Sequence, residues 1–187
     1  CLYRGCIPSK ALLHVAKLIN EAKEAEEWGV TFSEPKIDLD KLRGFKEKVV
    51  NKLTGGLGQL ARARKINYIR GTATFTSANT VDVQLADGGT QAHAFENCII
   101  AAGSLPFHIP GLWIESEHMI DSKGALELRE IPERMLVIGG GYIGLEMGTV
   151  YEALGSNIDV VEFLDQLIPA ADKDIMKVFM KTYKEKF

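Results

Sequence analysis

The sequence has no long apolar run, no dense cluster of one charge and only three cysteines, and each of these features excludes a class of protein. A membrane helix needs about 18–20 consecutive apolar residues, and no segment approaches this length or resembles a signal-peptide core. The net charge of −3 and the dispersed Lys and Arg residues argue against a nucleic-acid partner. Three cysteines are too few for the disulfide framework of a small secreted protein. We therefore expect a cytoplasmic protein without a membrane span.

The histidines are equally uninformative about metals. They are His14, His93, His108 and His118. Their spacing matches no metal-binding pattern, and acidic residues do not accompany them in a way that would complete a site. We expect no metal centre.

A close cysteine pair stands at the start of the chain, where Cys1 and Cys6 flank a four-residue spacer. Pro8 and the apolar residues that follow at helical spacing place Cys6 at a helix N-terminus, where the partial positive charge lowers the pKa of a thiol. In a straight helix, residues five apart are separated by about 7.5 Å along the axis, too far for a disulfide. Residues 1–5 are therefore predicted to form a compact turn, which Gly5 permits. The spacing alone leaves two interpretations open: a redox-active dithiol, or two small residues buried near a helix start.

Two helices and then a β-meander are predicted after this pair. The helices cover residues 8–28 and 38–64, with Asp38 as the cap of the second and an interruption near Thr54-Gly55-Gly56. The period then changes to two over residues 72–76, 80–85 and 90–95, with a hairpin turn at Asp87-Gly88-Gly89.

An apolar run from Ile99 to Ala102 follows the meander and ends at Gly103-Ser104. Such a run is typical of a strand buried on both faces of a parallel sheet. We predict that Cys98, at its start, is a buried strand residue without chemistry. Residues 105–134 then read as a connector with a short helix over 123–128, and a domain boundary is predicted near residues 105–115.

A second motif begins where the strand predicted over 135–138 runs into a glycine-rich turn. Gly139, Gly141 and Gly144 fit G-x-G-x-x-G, and a helix to Leu154 and a strand over 158–161 follow. In this pattern the first glycine makes the tight turn, the second lets the backbone approach a pyrophosphate, and the third lets the helix pack on the strand. Glu162, at the end of the second strand, would accept hydrogen bonds from the ribose hydroxyls and repel a 2′-phosphate, which predicts NAD rather than NADP. The alternative for Glu162 is a solvated carboxylate at a strand end.

The cysteine segment resembles the active-site segment of the flavin-dependent disulfide reductases, C-[LV]-N-V-G-C-[IV]-P-[SK]-K. The match covers Cys1-Leu2 and the run from Gly5 to Lys10, whereas Tyr3-Arg4 departs from the family's Asn-Val. Ser9 favours the branch that oxidises dihydrolipoamide over the branch that reduces glutathione. Residues 101–106 resemble the second flavin fingerprint of the family, although an ordinary strand-to-loop transition would give a similar pattern.

This resemblance implies the fold class. It is an α/β protein of FAD/NAD(P)-binding Rossmann-like domains, each with a three-layer ββα architecture, with a β-meander insert, and it is incomplete at both ends. Residues 1–110 would be part of the FAD-binding domain and residues 111–187 the N-terminal part of the NAD-binding domain. Because the chain begins with Cys1 and a reactive cysteine needs an anchored backbone, we also expect that a preceding segment is missing.

The resemblance also assigns roles to residues. Cys1 would be the thiol that attacks the substrate's sulfur and Cys6 the thiol that faces the flavin, both in one redox disulfide. Lys10 would lie beside the flavin ring with Glu146 as its acidic partner, and Ala73 and Gly103 would contact FAD. The expected NAD contacts are Gly139, Gly140, Gly141, Tyr142, Ile143, Gly144 and Glu162.

The reaction implied is the oxidation of protein-bound dihydrolipoamide through the disulfide and FAD to NAD. Its partners would be the lipoyl domain of the dihydrolipoyl acyltransferase in 2-oxo acid dehydrogenase complexes, the lipoyl protein of glycine cleavage, and a second copy in a homodimer. The 187-residue chain alone is expected to be inactive, because the family's first FAD-binding unit and its His-Glu base lie outside the matched region. The alternatives are a glutathione or mercuric reductase, disfavoured by Ser9 and Glu162, and a nucleotide-binding module without catalysis.

Overall fold

The computed structural model describes residues 1–184 and 186–187, and the chain divides into two compact units. Unit 1 comprises Cys1–Thr54 and Pro106–Phe187, and unit 2 comprises Gly55–Leu105. In this division the first 54 residues belong to the same compact unit as the C-terminal part of the chain. The assignment of the two cofactor domains stays a prediction.

Unit 1 begins with a helix that carries the second cysteine. Helix α1 spans Cys6–Glu24 and continues as a 3₁₀ turn over Ala25–Trp28. Gly29 ends it in the left-handed conformation, with φ of 84°, as a glycine C-cap does. The predicted helix over 8–28 is confirmed, and its start lies two residues earlier.

Helix α2 spans Leu39–Ala63, and Asp38 caps it by accepting a hydrogen bond from the Lys41 N–H at 3.0 Å. The interruption predicted near Thr54-Gly55-Gly56 is wrong, because the helix is continuous there. A glycine costs a helix only about 1 kcal/mol relative to alanine, too little to break a helix of this length. The boundary between the two compact units nevertheless falls between Thr54 and Gly55.

The C-terminal part of unit 1 contains a βαβ unit. Strand β4 (Arg134–Ile138) leads to helix α4 (Tyr142–Leu154) and then to strand β5 (Asn157–Val161). The two strands pair in parallel, from Arg134 opposite Asn157 to Ile138 opposite Val161. A short helix α3 (Ser122–Glu127) precedes the unit, and helix α5 (Lys173–Tyr183) follows it. This order confirms the predicted strand, helix and strand around the glycine motif.

The core of unit 1 lies where α1 and α3 pack on α4. Its buried members are Leu12, Ala125, Leu126, Leu128, Val137, Met147, Val150, Tyr151, Leu154 and Ile158. The Tyr151 hydroxyl donates to the Ala125 carbonyl at 2.9 Å, and burial raises the pKa of Tyr151 to about 12. Lys46 of α2 donates to the Leu126 carbonyl at 2.6 Å and so joins α2 to the end of α3.

Unit 2 contains the β-meander. Strands β1 (Gly71–Ser77), β2 (Thr80–Leu85) and β3 (Thr90–Ala94) pair antiparallel in chain order. Gly88 and Gly89, both with positive φ, form the turn between β2 and β3. The predicted meander and its turn are confirmed.

The apolar run that follows the meander differs from its prediction. Residues 98–102 form no strand, and Ile99 is 92% exposed. Cys98 is likewise exposed rather than buried. A strand forms only where a neighbour accepts its backbone hydrogen bonds, and within residues 1–184 and 186–187 no strand pairs with this run. Among the described helices, none is long and apolar enough to cross a membrane.

Candidate active site

The turn that joins the two cysteines closes as the sequence predicts. Cys1 and Cys6 form a disulfide, and their Cα atoms are 4.6 Å apart. The Ile7 N–H donates to the Cys1 carbonyl at 3.1 Å, which ties the start of the chain to the first turn of α1. A Cβ on Gly5 would lie 3.0 Å from the Cys1 Cα, so a glycine lets the turn close this tightly.

The position of Cys6 favours its thiolate after reduction. Cys6 is the first residue of α1 and Gly5 is the N-cap, so the sulfur lies at the positive end of the helix. Both cysteines are exposed in this chain. An exposed disulfide at a helix N-terminus can exchange with an external dithiol and release a stabilised thiolate.

Three polar side chains connect this helix with α4, the helix that follows the glycine-rich loop. Lys10 of α1 forms an ion pair with Glu146 of α4, and the buried Ser9 hydroxyl donates to the other oxygen of Glu146 at 2.8 Å. The Lys10 side chain is 58% exposed, so the pair adds little to stability and its effect is to orient both groups. The pairing of Lys10 with Glu146 is as expected. The hydrogen bond from Ser9 to Glu146 was not predicted, because the sequence does not show which distant carboxylate a serine contacts.

The glycines of the loop have the geometry that a dinucleotide site requires. Gly139 has φ of 103°, the left-handed conformation of a tight turn. A Cβ on Gly141, the N-cap of α4, would meet nothing within 4 Å, so a ligand has space to approach the backbone there. A Cβ on Gly144 would overlap the Gly139 carbonyl oxygen and lie 2.9 Å from a methyl of Val137, so the glycine permits close packing of helix on strand.

Glu162 follows β5 and points back to this loop. One carboxylate oxygen accepts from the Gly140 N–H at 2.8 Å and the other from the Leu164 N–H at 2.9 Å. These bonds from Leu164 and Gly140 lower the pKa of Glu162, since they stabilise the charged form. The carboxylate is therefore charged at neutral pH and stands beside the loop at which NAD is predicted to bind.

Two predicted flavin contacts lie in unit 2. Ala73 is an exposed residue of β1 and pairs with Val83 of β2. Gly103 lies in irregular, exposed backbone with φ of 80°. Their role in binding FAD stays a prediction.

The residues present fit both nucleotides by chemistry. The positive φ of Gly139, the open face of Gly141 and the N-terminus of α4 suit a pyrophosphate, and Glu162 suits the ribose hydroxyls. Lys10, half exposed and paired with Glu146, can donate to an acceptor at the edge of a flavin ring.

The sequence profile described as pyridine nucleotide-disulphide oxidoreductase matches residues 1–186. The chain belongs to this family. Flavoprotein disulfide reductases and dihydrolipoyl dehydrogenases use FAD together with NAD or NADP.

Curated relatives in the pyridine nucleotide-disulphide oxidoreductase family match over the whole chain. The dihydrolipoyl dehydrogenase of Vibrio cholerae is 56% identical over 187 residues, which are 100% of this chain and 39% of that protein. The dihydrolipoyl dehydrogenase of Haemophilus influenzae is 54% identical over the same shares of both chains. The chain thus spans about two fifths of the length of these relatives.

Solved structures confirm the fold. LpdA from Mycobacterium tuberculosis superposes with a TM-score of 0.85 at 21% identity, over 99% of this chain and 41% of that one. The HOCl-induced flavoprotein disulfide reductase RclA from Escherichia coli gives a TM-score of 0.77 at 26% identity, over 100% of this chain and 38% of that one. The predicted Rossmann-like α/β fold is thereby confirmed.

Proposed function

We propose that this chain is the redox and nucleotide-binding part of a dihydrolipoyl dehydrogenase, which oxidises protein-bound dihydrolipoamide and reduces NAD. The observation that carries the proposal is the link between a disulfide and a nucleotide loop. Cys6 begins α1, and Ser9 and Lys10 of the same helix both bind Glu146 of α4, the helix that the glycine loop opens. Relatives of this name at more than 50% identity support the same activity.

The disulfide is suited to the first half of the reaction. One thiolate of dihydrolipoamide attacks the sulfur of Cys1, the Cys1–Cys6 bond breaks, and Cys6 leaves as a thiolate. The second substrate thiol then displaces Cys1, so lipoamide leaves as a disulfide and the protein retains two electrons as a dithiol. The helix N-terminus stabilises the Cys6 thiolate in both steps.

The second half returns the cysteines to the disulfide. The dithiol loses two electrons and two protons, NAD⁺ gains a hydride, and one proton is released. A bound FAD supplies the conversion of thiolate electrons into a hydride. Lys10, held by Glu146, would orient beside the flavin, and Ala73 and Gly103 would contact it. The loop from Gly139 to Gly144 and Glu162 would hold NAD.

The partners follow from the substrate. The dihydrolipoamide would be carried by the lipoyl domain of a dihydrolipoyl acyltransferase in a 2-oxo acid dehydrogenase complex, or by the lipoyl protein of glycine cleavage. A homodimer and a cytoplasmic location belong to the same proposal.

A chimeric enzyme tests the proposed function. The matched 187 residues of the Vibrio cholerae dihydrolipoyl dehydrogenase are replaced by this chain, which supplies the flanking regions without changing the residues under test. The chimera should form NADH from dihydrolipoamide and NAD. Cys1→Ser and Cys6→Ser should each abolish turnover, because neither variant can form the disulfide.

The control is Cys98→Ser, which changes the free cysteine and should keep full activity. A chimera that binds flavin but reduces glutathione disulfide or Hg²⁺ in place of oxidising dihydrolipoamide would contradict the proposal. Retention of dihydrolipoamide oxidation by Cys6→Ser would do the same.

A further inference from the structure

Gly140, the variable position of the G-x-G turn, is enclosed by the chain that follows β5. We call residues 162–168 the return segment. The Gly140 N–H donates to Glu162 at 2.8 Å, and its carbonyl accepts from the Ile168 N–H at 2.9 Å. Both backbone groups of a single loop residue are therefore bonded to the two ends of the return segment.

The side on which a Cβ would stand at Gly140 is also occupied. A Cβ built there would overlap a methyl group of Leu167 and lie 3.3 Å from the Cβ of Glu162. At Gly139 and Gly141 a Cβ would meet nothing within 4 Å. The φ of Gly140 is not in the positive range, so the neighbouring atoms, and not the backbone conformation, oppose a side chain there. A new Cβ would require the Leu167 methyl to move aside and the Glu162 side chain to shift by a few tenths of an ångström.

These contacts hold the Glu162 carboxylate in one position. Each carboxylate oxygen accepts one backbone N–H, from Gly140 and from Leu164. If the carboxylate turned away, both N–H groups would lose their partner, which costs free energy for each bond. Hydroxyls of a ribose can still donate to the remaining lone pairs, whereas a 2′-phosphate would meet a negative charge that cannot retreat.

We propose that Gly140 is a specificity-determining residue, which holds Glu162 through the return segment and so sets the preference for NAD over NADP. The inference rests on the nucleotide site of the proposed function. It assigns discrimination to the rigid placement of the carboxylate as well as to its charge.

The test measures the dissociation constants of NAD and NADP for the chimera by titration calorimetry. Gly140→Ala keeps every charge but displaces Leu167 and Glu162, so the ratio of the NADP constant to the NAD constant should fall at least about tenfold, or about 1.4 kcal/mol. Gly44→Ala is the matched control, because a Cβ at that helical glycine meets nothing within 4 Å and should leave the ratio unchanged.

A second pair of variants separates displacement of Glu162 from general damage. Leu167→Ala removes the overlapping methyl groups and should keep a ratio near that of the unmodified chimera. Adding Gly140→Ala to it should still lower the ratio, because the new Cβ lies 3.3 Å from the Cβ of Glu162 and that side chain must shift. The fall should be smaller than for Gly140→Ala alone, because the overlapping methyl groups of Leu167 are gone. The comparison of the double variant with Leu167→Ala remains possible even if Gly140→Ala alone does not fold.

An unchanged ratio in the double variant relative to Leu167→Ala would overturn the inference, as would an unchanged ratio in a folded Gly140→Ala chimera. Both results would leave the proposed function intact while the unmodified chimera binds NAD and oxidises dihydrolipoamide. Failure of the unmodified chimera to bind NAD would overturn the proposed function and this inference together.

Discussion

Two short apolar runs in this chain have similar composition and opposite fates. Residues 135–138 form most of β4, which pairs with β5 along its length and buries Val137 against the core. Residues 99–102 form no strand and are exposed. Both runs are apolar enough for a buried strand, so hydrophobicity does not distinguish them.

The difference lies in the partners that each run finds. β4 finds a parallel neighbour in β5 after the single crossover helix α4, and the same helix covers it. Within the described residues, the run from 99 to 102 has no paired neighbour. An apolar run thus predicts burial only when the chain also supplies a strand or helix to pack against it.

Removing a core side chain that packs between α1 and α4 should have the largest effect on stability. Leu12 is 1% exposed in the core shared by α1 and α4, so Leu12→Ala should lower the free energy of unfolding by about 2–5 kcal/mol. Denaturant titration followed by tryptophan fluorescence measures this, since Trp28 and Trp113 both lie in unit 1. Leu18→Ala, at a position 63% exposed on the same helix, is the control and should change stability by less than about 0.5 kcal/mol.

Gly144→Ala should have the next largest effect. The new methyl group would overlap the Gly139 carbonyl oxygen, which belongs to the backbone and cannot rotate away. Overpacking of this kind costs about 1–3 kcal/mol, and the same titration detects it. Gly44→Ala should be neutral or stabilising, and equal losses in the two variants would contradict the role of close helix-strand packing.

Tyr151→Phe should cost about 1 kcal/mol, because it removes one buried hydrogen bond to the Ala125 carbonyl. The pKa of Tyr151 rises from 10.0 to about 12 on folding, chiefly because burial disfavours the phenolate. The hydroxyl's contribution is therefore complete below pH 10 and is lost between pH 10 and about pH 12, as the unfolded chain ionises first. Denaturation midpoints measured between pH 10 and about pH 12 should fall less steeply with pH in Tyr151→Phe than in the unmodified chain. Equal slopes in the two proteins would contradict a raised pKa for Tyr151.

The smallest effect on stability is expected for a substitution in the exposed run from residue 99 to 102. This substitution tests most directly whether the run lacks only a neighbouring strand. Ile100 is 74% exposed, so Ile100→Ser should change the stability of the isolated chain by less than about 0.5 kcal/mol. In the chimera, where flanking regions could supply neighbouring strands, the same change should cost about 2 kcal/mol or more. Thermal unfolding followed by circular dichroism compares the two backgrounds, and equal effects would contradict a strand role for this run.

The elements that the sequence predicts correctly are those determined by neighbouring residues. Pro8, Gly29 and Asp38 mark helix ends, and Gly88-Gly89 marks a hairpin, through local backbone chemistry. The glycines of the βαβ loop are recognisable for the same reason, since each answers a local steric demand.

The features that the sequence does not reveal depend on distant contacts. Ser9 reaches Glu146 across 137 positions, and Leu167 covers Gly140 only because the chain turns back after β5. The prediction that Cys98 is buried is wrong, because Cys98 is exposed. Its burial depends on whether neighbouring strands pair with its segment, and the local sequence does not show this. The meander could be predicted down to its turn, but not which of its side chains would be covered.

The turn between Cys1 and Cys6 would keep its shape when the disulfide is reduced. Its geometry is maintained by the hydrogen bond from the Ile7 N–H to the Cys1 carbonyl and by the small size of Gly5, neither of which depends on the sulfur–sulfur bond. Each thiol of the reduced pair would therefore face the other at a high effective concentration. Ring closure would then compete well with capture by outside thiols, and the centre could cycle many times with little backbone rearrangement.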